Sequence, residues 1–146
     1  MTFDHDKGVA VASGVQFGPT QSGKVYISLH QHRGSGAPAH KHQWCDQISR
    51  VMEFGIFDTA DYQNWCDRDG HFWGIHDRGQ TVLGVRGERL SKFPRTSNSS
   101  DPWHGYPVSP LERGDDDAPP DEFVERWIET GAVSKTFGRR IQRRKV

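Results

Sequence analysis

Apolar and polar residues alternate most clearly from Val25 to His32, where Val25, Ile27 and Leu29 are interleaved with Tyr26, Ser28, His30 and His32. A period of two marks a half-buried strand, so the first set is expected to face a core and the second an outer surface. Similar patterns predict strands at Val9 to Ala12 and Val15 to Phe17, joined around Ser13-Gly14, and a mostly buried strand at Val51 to Phe57. Further on, Phe72 to Ile75, Thr81 to Val85 and Arg89 to Phe93 are separated by Asp77-Arg78-Gly79 and Arg86-Gly87, and they read as a meander.

Helical signals are fewer. Asp58 or Thr59 can cap a short helix with Tyr62, Trp65 and Cys66 on one stripe, ended by Gly70. Pro119-Pro120-Asp121-Glu122 opens a helix that turns Phe123, Trp127 and Ile128 inward and stops at Gly131. Ser134 caps a last helix carrying Phe137 and Ile141 at i and i+4. Pro94 to Pro120 shows no periodicity. Its Trp103, Tyr106 and Val108 are expected to pack, leaving Gly114 to Ala118 as the mobile part. The expected fold is α+β: an antiparallel twisted sheet or partial barrel of about five to seven strands with a C-terminal helical hairpin. It forms a single domain over 1–146, β-rich over 8–93, irregular over 94–120 and helical over 121–145.

Composition fits that picture. Only 33% of the 146 residues are hydrophobic, but five Trp, eight Phe and three Tyr supply large buried areas, and sixteen Gly with eight Pro imply many turns. No apolar run approaches membrane-spanning length and the first residues lack a signal-peptide pattern, so no membrane partner and a cytoplasmic location are expected. Cys45 and Cys66 are too few for a disulfide framework. Net charge is zero, yet Glu112 to Glu129 is acidic, while the last twelve residues hold six Lys or Arg and no acid. That balance argues against whole-surface attraction to nucleic acid and leaves room for a local contact.

The candidate chemistry centres on LHQHRGSGAPAHKHQW, with His30, His32, His40 and His42 as two His-x-His pairs around Gly36. In a hairpin, His30 would oppose His42 and His32 would oppose His40. All four imidazoles would then share a face and could converge on zinc or another transition metal. Trp44 falls on the same face and, with Tyr26, is a candidate binding residue. In DPWHGYPVSP, His104 stands between Trp103 and Tyr106, a candidate acid or base flanked by binding aromatics. Gly18 to Val25 fits the G-x-x-x-x-G-K phosphate loop, but Val25 replaces the required hydroxyl and a strand pattern follows. An ordinary loop without a nucleotide is expected there.

At the end of the chain, Arg139, Arg140, Arg143, Arg144 and Lys145 form a basic stripe able to contact phosphates, or one that meets the acidic segment before it. The run ETGAVSKTFGRRIQRRKV faintly resembles the turn and recognition-helix start of helix-turn-helix DNA-binding proteins. It departs from them by an extra Ala132 and by lacking a third helix, so no residue role follows from it. The leading expectation is a small soluble binding module that engages nucleic acid or a protein through its His/aromatic face and basic end. The alternatives are a metal-dependent phosphodiesterase using the four histidines and a small metal-independent, toxin-type nuclease.

Overall fold

The computed structural model describes residues 8–34 and 42–146. Its architecture is α+β, with two three-stranded antiparallel sheets and four α-helices among the described residues. The first sheet has the order β1 (Val9–Val11), β2 (Gly14–Phe17), β3 (Tyr26–Leu29). The expected hairpin is present, with Val11 opposite Gly14 and Ala10 opposite Val15. The second sheet has the order β4 (Phe72–Gly74), β5 (Leu90–Phe93), β6 (Tyr106–Val108). Among the described residues the strands divide between two small sheets rather than joining in one larger sheet or partial barrel.

Between the sheets runs α1 (Arg50–Tyr62), where a strand had been expected at Val51 to Phe57. Ser49 caps it, its hydroxyl oxygen accepting from the Met52 amide at 3.2 Å. Phe54, Phe57 and Ala60, spaced by three, are fully buried, so a helical face decides the conformation over the strand propensity of Val and Phe. The helix absorbs Asp58 and Thr59, the expected caps of a later helix, and ends before Asn64 (φ 56). Burial of each Phe contributes about 1.5–3 kcal/mol. Gly74 lets β4 approach closely: a Cβ there would lie 2.7 Å from Ile56 Cγ2 and 2.8 Å from Ser91 Oγ.

Ile27 is buried as expected, but the other face of β3 departs from the expectation. Tyr26 and Ser28 are wholly buried and Val25 is exposed, because the two hydroxyls have polar partners on α1. Thr81 to Val85 forms no strand, and β4 pairs directly with β5, Phe72 facing Phe93. Gly18 to Val25 is a loop between β2 and β3, where Lys24 binds Asp61 at 2.9 Å.

After β6 come a short helix α2 (Pro110–Arg113) and a 3-10 turn over Gly114–Asp117. Asp117 and Ala118 are buried, whereas Asp115 and Asp116 are exposed. The helical hairpin is as expected: α3 (Asp121–Glu129), then Gly131 at φ 77, then α4 (Lys135–Gln142), capped by Ser134. Phe123, Val124, Trp127, Phe137 and Ile141 pack with Trp73, Leu90 and Val108, while Ile128 is only partly buried. Phe72 and Phe93 belong to a second cluster with Phe54, Phe57 and Trp44. The second sheet is thus the central layer, with α1 on one face and α3–α4 on the other. No helix of the described residues is long and apolar enough to cross a membrane.

Candidate functional site

At the end of β3 the chain leaves the extended conformation and His30–His32 form a 3-10 turn. Arg33, directly after it, anchors this turn. Its Nη2 and Nε donate to Glu53 Oε1 at 2.7 and 3.1 Å, and its Nη1 donates to the Ile48 carbonyl. Glu53 is 1% exposed and also accepts from Tyr26 Oη and from Ser28 Oγ at 2.8 Å, which binds the turn rigidly to α1. The returning chain runs beside the turn. Trp44 N donates to the His32 carbonyl at 3.0 Å, and Arg33 and Trp44 form a parallel bridge. His32 Nδ1 donates to the His42 carbonyl at 2.7 Å, which fixes the hydrogen on Nδ1 and leaves Nε2 as the acceptor in a neutral ring.

The opposite wall comes from the segment leading into β6. Ile27 N donates to the Trp103 carbonyl at 2.7 Å, Trp103 N to the Val25 carbonyl at 2.8 Å, and Trp44 Nε1 to the Gly105 carbonyl at 3.2 Å. His104 is therefore held between two ties. Gly105 permits the approach, since a Cβ there would lie 2.1 Å from a Phe93 ring carbon. Tyr106 follows on β6, and Asp117 is positioned by the Ser109 amide at 3.4 Å.

These walls enclose a cleft of about 330 Å³ lined by Gln31, His32, His42, His104, Tyr106, Arg113 and Asp117. Its rings form a layered row: His104 to His32 at 6.5 Å, His32 to Tyr106 at 5.2 Å, and Tyr106 to His42 at 5.8 Å, with interplanar angles of 13°, 32° and 13°. His42 has a carboxylate near each ring nitrogen. Glu88 Oε2 lies 3.5 Å from Nδ1 and Asp117 Oδ2 3.8 Å from Nε2. The Glu88 side chain is only 2% exposed; its Oε1 accepts from the Arg86 amide at 2.8 Å, but Oε2 and His42 Nδ1 are sealed from solvent and not hydrogen-bonded. A buried, incompletely satisfied acid–imidazole pair is costly and typical of functional sites.

Electrostatics separates the groups. Burial pushes the His104 imidazole below its ordinary range, favouring the neutral ring. Burial, then the Asp117 charge, push the Tyr106 phenol up against the opposing pull of Arg113, so it keeps its proton. Burial also acts to raise Glu88, but the neighbouring His42 imidazole and hydrogen bonds from the backbone amides of Glu88 and Arg86 outweigh it and hold the carboxyl below its ordinary range.

Of the residues singled out from the sequence, the fold gathers His32, His42, His104 and Tyr106, drawn from two separate motifs. His30 goes elsewhere: exposed, it has Arg50 Nη2 2.9 Å from its Nδ1. Among the described residues His30 does not oppose His42: the strand stops at Leu29, and Arg33 and Trp44 pair in parallel. His40 lies outside the described residues. Tyr26 and Trp44 are core residues, 0% and 1% exposed, and offer no binding face. Trp103 packs edge-on against Phe72 and beside Phe57. Among the described residues no group of three or more His, Cys, Asp or Glu is arranged to hold a metal ion. The layered rings account for this, since parallel planes direct their in-plane lone pairs side by side rather than to one point.

The basic stripe is partly consumed. Arg139 Nη1 binds Glu125, and Arg144 Nε binds Asp115 at 2.9 Å with Asp121 at 3.7 Å from its Nη1. Sequence reasoning missed Glu88, Asp117, Arg113 and Gln31. Asp117 stood out only as part of an acidic run, and Glu88 carries no local signal. No known protein family, characterised protein or solved structure matches the chain.

Proposed function

We propose that the cleft catalyses metal-independent cleavage of RNA phosphodiesters by acid–base chemistry. The observation that carries this reading is His42 set between the buried Glu88 and Asp117, in one cleft with a second imidazole that burial holds neutral. Two imidazoles in one cleft with unlike surroundings can divide the roles of acid and base. RNA suits such a pair because its 2′-hydroxyl is an internal nucleophile. His104 takes the 2′-hydroxyl proton as that oxygen bonds to phosphorus. The bond from phosphorus to the 5′-oxygen breaks, and His42 gives the leaving oxygen its proton. The products are a 2′,3′-cyclic phosphate and a 5′-hydroxyl end. Arg113, on the cleft wall, neutralises charge gathering on the phosphoryl oxygens.

The test is cleavage of an end-labelled oligoribonucleotide in the presence of a chelator. Cyclic phosphate ends are expected, with His42→Ala and His104→Ala each slowing the reaction by about 10²- to 10⁴-fold. A DNA oligomer of the same sequence should remain intact. Cleavage only with added zinc would instead favour the metal-dependent phosphodiesterase. RNA binding in the cleft without any cleavage would leave the binding module.

A further inference from the structure

Arg78, Arg89 and Arg140 come from three separate parts of the chain and surround a small pocket of about 170 Å³, whose wall also includes Gln80, Ser134 and Thr136. No acidic side chain lines it. Among the described residues none of these three guanidiniums is in an ion pair, whereas Arg139 and Arg144, on the same helical hairpin, both are. Arg78 and Arg140 reach only the carbonyls of Gly131 and Lys145, at 3.2 and 3.3 Å. Asp77, next to Arg78, lines a different cleft with Met52 and Trp65. Three like charges gathered about one cavity repel each other, and a bound anion reverses the sign of that interaction.

The backbone that presents Arg78 is itself unusual. Asp77 and Arg78 have φ of 51° and 59°, the left-handed region that side chains with a Cβ seldom occupy. Gly79 follows so close to α4 that a Cβ would meet the Phe137 ring at 2.3 Å, so the turn is pressed against the helix start. Ser134 Oγ accepts from the Phe137 amide at 3.0 Å, which leaves its own hydrogen to be donated into the pocket.

We propose that this pocket binds a phosphate group, gripped by the guanidinium forks of Arg78, Arg89 and Arg140 with hydroxyl donors from Ser134 and Thr136. Planar guanidinium forks match the spacing of phosphate oxygens and give charge-assisted hydrogen bonds that a lysine does not reproduce. The pocket shares no lining residue with the His42 cleft, although Glu88 and Arg89 are neighbours in the chain.

Titration of the full chain with inorganic phosphate, followed by amide NMR, tests the site. Saturable shifts are expected at Gln80, Ser134 and Thr136. Arg89→Ala should weaken binding by about 10-fold or more, as should Arg78→Ala, while thermal unfolding stays close to that of the parent. Arg89→Lys should fall between them. His42→Ala should bind phosphate as the parent does. A short oligonucleotide that displaces the phosphate identifies a phosphodiester backbone as the natural source; failure to displace it identifies a small phosphorylated molecule. No saturable shift at these amides, or shifts that persist unchanged in the Arg78→Ala/Arg89→Ala protein, would overturn the proposal.

Discussion

Glu53 and Glu88 are both almost removed from solvent, at 1% and 4% exposure, yet their surroundings differ in kind. Glu53 receives hydrogen bonds from Tyr26, Ser28 and Arg33, and ties β3, the following turn and α1 together. Glu88 has one oxygen held by a backbone amide and the other aimed at an imidazole it does not quite reach. A buried carboxylate whose lone pairs are all engaged stabilises one arrangement of the chain. One that is left with a near-miss partner holds a proton acceptor in reserve, at some cost in stability. The first belongs to the scaffold and the second to the site.

The largest effect expected from this contrast is on stability. Glu53→Ala strands the Arg33 guanidinium and two hydroxyls, and should lower the unfolding free energy by about 3–5 kcal/mol in a urea titration. A smaller loss than that of Glu88→Ala would break the comparison. Next, Glu88→Gln should leave stability within about 1 kcal/mol, yet slow RNA cleavage by about 10- to 100-fold through loss of the charge that orients His42. Equal losses of stability in Glu53→Gln and Glu88→Gln, with cleavage intact, would place both residues in the scaffold.

Acid titration sharpens the same point. Burial raises the folded-state pKa of Glu53 above 4.5, against the opposing pull of Arg33 and of hydrogen bonds from Tyr26 and Ser28. Its contribution is present below the ordinary glutamate value and is lost as pH rises through the higher folded value. Glu88 is lowered below 4.5, so its contribution is present above that value and is lost as pH falls through the lower one. Urea midpoints measured downward from 4.5 should therefore decline less in Glu88→Gln than in the parent. A steeper decline would reverse the assignment. Cleavage itself should persist below the ordinary histidine value of 6.5, because the neutral form of His104 is favoured there.

The smallest effect lies at the C-terminus. Arg144 pairs with Asp115 on the surface, so Arg144→Ala should cost about 1 kcal/mol or less and leave the salt dependence of RNA binding unchanged. A flatter log–log salt slope would return Arg144 to a nucleic-acid surface.

What the sequence revealed divides along the same line between local and distant contacts. The β1–β2 hairpin and the α3–α4 pair were legible because a glycine turn, a Ser134 cap and the i, i+4 pair Phe137 and Ile141 act within a few residues. Val51 to Phe57 was not. Its apolar, strand-prone residues suit either conformation, and burial of Phe54 and Phe57 against distant Tyr26 and Phe93 decides for the helix. In the site, His32, His42, His104 and Tyr106 stood out by residue type. Their partners did not, because Glu88 and Asp117 meet His42 across long stretches of chain, with no spacing rule to announce them. The hairpin register failed for a related reason: alternation was extended through His32, while the anchoring of Arg33 to Glu53 ends the strand three residues earlier.

The two ties around His104 also bear on how the molecule opens. Trp103 exchanges backbone hydrogen bonds with β3 of the first sheet, and three residues later Tyr106 enters the second. Neither sheet can detach without releasing the segment that carries His104. The Ile27 and Trp103 amides should therefore exchange their hydrogens with solvent only through global unfolding, at the slowest rates in the protein. Catalytic competence and the folded state should then be lost in a single cooperative transition, with no partly open form that retains half of the cleft.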